Sequence, residues 1–168
     1  IRGEPAARRD FLDRLLITRS PRLAGVISDY ERIVKQRNAL LKTRAPQSAL
    51  IPWNEQLIQT GATLSAERIS LCEALNPWVN ENYANLNEVK PANISYKSSI
   101  SNLSNNPNQN KTLFAAHLQE IQYQEIERGV TLSGPHRDDL HLHIGDFPAK
   151  GYASHGESLS MAIALRLG

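Results

Sequence analysis

Apolar residues near the start of the chain fall three and four apart. Phe11, Leu12, Leu15 and Leu16 share one helical face in "GEPAARRDFLDRLL", and Pro5 suits a first helical turn, where its missing N–H is no loss. Ser20-Pro21 breaks this helix. From Arg22 to Lys42 the same period carries Leu23, Val26, Ile27, Tyr30, Ile33, Val34, Leu40 and Leu41, an amphipathic helix interrupted on its apolar side by Arg37. "TRAPQSALIP" reads as a connection. A second long helix is predicted from Trp53 toward Val79, with Leu57, Gly61, Leu64, Arg68, Leu71, Leu75 and Trp78 on a heptad-like line and Ile69 and Cys72 beside it. Two such helices with a short connector fold back on one another, so residues 22–80 are expected to form an antiparallel helical hairpin, a short arm.

The period then shortens. "ISYKSSI" alternates and is read as a strand, and "SNLSNNPNQNK" (101–111) as a mobile loop. Thr112 to Arg128 returns to helical spacing, with Leu113, Phe114, Leu118, Ile121 and Ile126 on or near one face and His117 at its boundary. Gly129 stands where a left-handed cap belongs. "VTLSG" and "LHLHIG" alternate as strands around "PHRDD". The fold class expected is α+β: a mostly helical lobe with a helical hairpin and a small antiparallel sheet over residues 94–168, which also holds a final apolar helix.

Composition narrows the classes. No apolar run approaches the roughly 20 residues of a membrane span, so no membrane partner is expected. The single cysteine, Cys72, excludes an internal disulfide framework, suits a reducing cytoplasm and reads as a small apolar filler. The net charge is +2, yet residues 1–44 hold eleven Lys and Arg against five Asp and Glu. A basic segment of this kind can follow a phosphate backbone or form a solvated helix surface. The chain begins at Ile1 and its only methionine is Met161, so it is read as a piece of something longer.

Two stretches carry candidate chemistry. His136, Asp138, Asp139, His141 and His143 lie within eight residues and suit zinc or iron in kind. Their spacing favours a charged turn before a half-exposed strand, with Asp138 or Asp139 orienting Arg137. In "GYASHGESLSMAIALRLG", Ser154 and Glu157 stand in capping-box spacing ahead of an apolar helix, and Gly156 leaves its first turn open. A helix N-terminus of this kind either caps a core helix or meets a phosphate. No nucleophile elbow, paired-carboxylate pattern or G-x-x-x-x-G-K-[ST] loop occurs, so no complete active site is expected and no metal is assigned.

"GEPAARRDFLDRLL", "YERIVKQRNALLK", "EIERGVTLSGPHRDDLHLHIG" and "PAKGYASHGESLSMAIALRL", in this order, resemble the RecF recombination and repair family over nearly the whole chain. The resemblance implies the second lobe of an ATP-binding-cassette-type head, related to the SMC ATPases. The phosphate-binding loop would precede Ile1 and the acidic Mg2+-binding strand would follow Gly168. Ser154, Gly156 and Glu157 would then be the signature motif, meeting the γ-phosphate of ATP held by the other head of a homodimer. His155 departs from the glutamine expected there. ATP and Mg2+ are implied for the full-length protein, a weak DNA-dependent ATPase, and neither is expected in the isolated fragment, which would not hydrolyse ATP alone. DNA at gaps and single-strand/double-strand junctions, RecR and RecO, and indirectly RecA, are the implied partners. Arg8, Arg9, Arg14, Lys35, Arg37, Lys42 and Arg44 are then the candidates for DNA backbone contacts. Arg8 and Arg9 could instead pair with carboxylates, and Arg37 could pair inside the arm. A DNA- or protein-binding arm module without nucleotide contact is the alternative, and a metal-dependent hydrolase a third reading.

Overall fold

The computed structural model describes residues 4–86, 91–149 and Glu157. Helix α1 (Pro5–Arg19) buries Leu12 and Leu16, and Arg8 lies on the same inward face. Helices α2 (Leu23–Lys42) and α3 (Gln47–Leu86) form the expected antiparallel hairpin, crossed at one end by Arg22–Glu67 and toward the other by Arg37–Asn54. Only residues 43–46 connect them, so most of "TRAPQSALIP" is helical.

The second helix runs 40 residues, well past both expected ends, with Pro52 and Pro77 inside it. Both prolines face solvent, where the carbonyls left without an N–H partner can take water instead. The heptad-like line holds from Leu57 to Leu75, but Trp78 is exposed and Val79 and Tyr83 are buried in its place. A straight α-helix drifts about 20° per heptad, so the apolar stripe moves on by one residue.

The hairpin is not an isolated arm. Helix α4 (Pro107–Arg128) lies along α3, and strand β1 (Ala92–Lys97) packs on α3's other exposed flank. Contact with α4 is close: a Cβ on Gly61 would stand 2.8 Å from the Phe114 ring. Strand β1 pairs antiparallel with β2 (Asp139–Ile144), which pairs antiparallel with β3 (Phe147–Pro148). Ile94, Leu140, Leu142 and Ile144 join Leu12, Leu57 and Leu71 in one core. The architecture is α+β, as the hydrophobic pattern implies.

Two further stretches differ from the sequence reading. Residues 107–111 of the expected loop are the first turns of α4. Asn106 caps them by accepting from the backbone of Asn108 at 3.0 Å and Gln109 at 3.3 Å, and Pro107 opens the helix. Asn110 is wholly buried and ties this cap down, donating to the Ser104 carbonyl at 2.8 Å and accepting from its N–H at 2.9 Å. "VTLSG" is not a strand. Its N–H groups donate to side chains instead: Thr131 to Asn38 at 2.7 Å, Leu132 to Glu125 at 2.8 Å, and Gly134 to the Ser99 hydroxyl at 2.8 Å. Among the described residues no helix is long and apolar enough to cross a membrane.

Candidate functional site

Ser154, His155 and Gly156, the expected anion-binding turn, lie outside the described residues. Glu157 is helical and half-buried. The described chemistry converges on the turn that precedes this segment, Gly134-Pro135-His136-Arg137-Asp138-Asp139. Gly134 is required there. Its φ is 121°, open only to glycine, and a Cβ would overlap the Tyr30 hydroxyl.

Each following residue binds a different element. The Pro135 carbonyl accepts from Arg68 at 2.8 Å. Arg68 is buried and also clamps Asp13 of α1 through two bonds of 2.9 and 2.8 Å. Burial opposes its charge, but Tyr96 and Asp13 outweigh that and raise its pKa. The His136 ring reaches the Thr131 carbonyl through Nε2 at 3.1 Å and the Tyr30 hydroxyl through Nδ1 at 2.8 Å. A carbonyl can only accept, so Nε2 carries the proton and Tyr30 donates to Nδ1. Burial pulls the imidazole pKa down to about 4, and the Arg137 and Arg9 charges add to that. Burial likewise raises the Tyr30 pKa well above its ordinary value.

The Asp138 side chain is the centre of the turn and is 1% exposed. Its carboxylate accepts from the Tyr96 hydroxyl at 2.7 Å, from Ser98 at 3.2 Å, and from the Ser99 N–H and hydroxyl at 2.6 Å each. These bonds end β1 and hold the chain that follows it. Its backbone carbonyl accepts from Arg9 at 2.9 Å. Asp139 takes both arms of the Arg8 guanidinium, at 2.8 and 2.7 Å. Burial raises the Asp139 pKa, but the Arg8 hydrogen bond and charge prevail and leave it below the ordinary value.

This arrangement corrects one expectation. Neither Asp138 nor Asp139 orients Arg137, whose guanidinium lies 3.4 Å from the Thr131 carbonyl. Among the described residues no three His, Cys, Asp or Glu groups could hold a metal ion. His136 and both carboxylates are committed to protein partners, which leaves His141 and His143 on one face of β2, with ring centroids 6.1 Å apart. Cys72 is the buried filler expected of it, its thiol pKa pushed by burial up to about 12. His117 bonds Ser133 at 2.8 Å, the distance of a nucleophile–base pair. Ser133 is buried, however, and Glu120, the carboxylate nearest His117, stands 4.0 Å away and is 80% exposed.

The predicted DNA-contacting residues separate into groups. Arg37 is 1% exposed and bonds Asn54 at 2.7 Å, Thr131 at 2.8 Å and Glu125 at 2.5 Å, so phosphate cannot reach it. Arg8 is likewise locked in the core by Asp139. Arg9 is half-buried against Asp138 and lines a cleft of about 260 Å³ shared with Asp10, Asp13, Tyr30, Arg68 and His136. Arg14 is exposed but paired with Asp10 at 2.7 Å. Lys35, Lys42 and Arg44 are exposed on the hairpin. Arg68, Glu125 and Tyr30 went unrecognised as polar anchors in the sequence. A charged or hydroxyl group within an apolar helical stripe was the available signal.

Comparison with known proteins places this geometry. No protein-family model matches the chain. It is 48% identical over 178 residues to the DNA replication and repair protein RecF of Streptomyces avermitilis and 43% identical over 194 residues to that of Cutibacterium acnes. These matches cover 99% and 100% of this chain and 48% of each relative. Two solved structures share the fold: the recombination mediator protein RecF-ATPrS in the RecFOR pathway, at TM-score 0.92 and 21% identity, and RecF-ATP, at 0.91 and 22%. Each covers 99% of this chain and 46% of the solved one. The chain therefore belongs to the RecF family and spans about half the length of the relatives it matches.

Proposed function

We propose that this chain is the signature-motif lobe of a RecF-type repair ATPase, in which two heads close around ATP and the closed dimer holds DNA at gaps and junctions. The observation that carries this reading is the match at 48% identity, over 99% of this chain, to about half of a DNA replication and repair protein RecF. A fold shared with RecF-ATP at TM-score 0.91 supports the nucleotide part. In this reading Ser154, Gly156 and Glu157 present the first turn of a helix to the γ-phosphate bound by the other head. Free N–H groups and the positive end of the helix dipole stabilise a phosphate without a cation of their own. Mg2+ and the phosphate-binding loop come from the remainder of the protein. RecR and RecO act with the closed dimer to bring RecA onto single-stranded DNA.

The buried turn from Gly134 to Asp139 serves this function by position. It fixes α1, α2, α3 and β1 to the strand that leads toward residue 157. Ser154→Arg in the full-length protein should abolish ATP-driven dimerisation, read by light scattering, and leave ATP binding by the monomer within about twofold, since the bulk of the new side chain obstructs only the phosphate held by the other head. Dimerisation unchanged in this variant overturns the proposed contact. A hairpin that binds DNA without nucleotide predicts instead that DNA affinity is the same with and without ATP.

A further inference from the structure

The positive charge of this chain divides in the folded molecule in a way that residue order conceals. Arg8, Arg14, Arg22, Arg32 and Arg68 are each matched to a carboxylate, namely Asp139, Asp10, Glu67, Asp29 and Asp13. At the closed end of the hairpin the situation is reversed. Lys35, Lys42, Arg44 and Arg128 are all exposed, and among the described residues none has an ion pair or a side-chain hydrogen bond.

Gly129 gathers them. Its φ of 66° ends α4 against α2, so that a Cβ there would stand 3.6 Å from the Lys42 Cα. Arg128 thus joins Lys42 and Arg44 where two helices terminate together. The carbonyls at those ends do not need these cations. The Thr43 hydroxyl donates to the Ala39 and Leu40 carbonyls, the Arg44 and Ala45 N–H groups bond Leu41 and Leu40, and the Gly129 N–H bonds Glu125. Each helix C-terminus carries roughly half a negative charge, and even with the neighbouring Glu127 the three cations leave an excess.

We propose that this end of the hairpin, Lys42, Arg44 and Arg128 with Lys35 two turns back, binds the phosphate backbone of duplex DNA. The proposal rests on the DNA-binding function above and locates it. Paired arginines would have to break a carboxylate contact before touching phosphate, whereas these four need shed only water. Arg128 enters from a helix whose residue pattern offered no hint of it, 84 positions after Arg44.

The test uses the full-length protein and a fluorescent duplex, with affinity measured across a salt series. For Lys42→Gln/Arg44→Gln/Arg128→Gln, affinity near 0.1 M salt should fall at least about tenfold. The slope of log K against log salt should shrink by about 2 to 3, at roughly 0.9 for each phosphate no longer neutralised. Arg14→Gln/Arg22→Gln should change affinity less than about twofold. A wild-type protein that binds with a triple variant of equal affinity and slope overturns the proposal. A wild-type protein that does not bind duplex DNA at all strikes the DNA-binding function instead. Should the triple variant misfold, acetylation of the wild type decides. Duplex DNA should protect Lys42 and leave Lys97 reactive, and equal reactivity with and without DNA overturns the assignment. An acidic polyglutamate that leaves Lys42 reactive while DNA protects it separates nucleic acid from an acidic protein partner, and the reverse result overturns the proposal.

Discussion

His136 shows how one neutral side chain makes the fold sensitive to acid. Its folded pKa is about 4 against an ordinary 6.5. Between those values the unfolded chain binds the proton and the folded chain does not, so stability rises with pH from about 4 to 6.5 and is level above. The gap corresponds to roughly 3 kcal/mol between the two ends. Asp139 acts in the same sense at lower pH, since its depressed pKa stabilises the fold above its ordinary value of 3.8 and that contribution disappears as pH falls through the folded value. Urea unfolding of His136→Gln at pH 7.5 and 5 should show a smaller pH dependence than the parent. Equal dependence in both proteins would refute a neutral buried imidazole. The residue types in "GPHRDD" advertised chemistry in the sequence, but their partners did not. Asp138 finds Ser99 39 positions earlier, and Asp139 finds Arg8 131 positions earlier. Spacing within the motif could suggest a metal because it contains no information about Arg8 or Tyr30.

At the scale of elements, periodicity was a good guide wherever the backbone bonds to itself. Four helices and the strand ending in "LHLHI" follow from it. Two of the departures share one cause. "VTLSG" alternates as a strand does, yet its N–H groups are claimed by Asn38, Glu125 and Ser99 side chains. "SNLSNNPNQNK" has the composition of a loop, yet Asn106 and Asn110 use their amides as caps. Side-chain-to-backbone bonds replace regular pairing in both, and no period records them. Arg37 is the sharpest case, a charge on an apolar stripe that proves to be the anchor between hairpin and α4. Arg37→Ala should cost about 3–5 kcal/mol in denaturant unfolding, because it strands the buried Glu125 carboxylate. Arg37→Met/Glu125→Leu should be milder than that single change. A double variant less stable than Arg37→Ala would mean that the pair is a net stabiliser and not a mutual requirement.

For the whole molecule, polar anchors divide the work with the apolar core. Leu12, Leu57, Leu71, Leu142 and their neighbours bring helices and sheet together without fixing how they sit. The buried guanidiniums fix it, each with several directional bonds: Arg37 to three residues of α3, α4 and the loop after it, and Arg68 to α1, β1 and the Gly134–Asp139 turn. The fold class and the family were legible in the sequence, whereas the separation of neutralised arginines from free ones required knowing which carboxylate each would meet.

The turn at Gly134–Asp139 also dictates an order of events. Synthesis proceeds at about 5–20 residues per second, so Arg8 leaves the ribosome on the order of ten seconds before Asp139 does. Arg37 waits in the same way for Glu125, whereas Arg68 already has Asp13 of α1 and lacks only the Pro135 carbonyl. The first three helices are thus made before Arg8 and Arg37 can meet their carboxylates, and the turn closes a loop spanning 131 positions when Asp139 reaches Arg8. We expect the closure of so long a loop to follow the folding barrier. Asp139→Asn should accordingly speed unfolding and leave the refolding rate nearly unchanged in stopped-flow measurements, while a slowed refolding arm would place the turn in the nucleus.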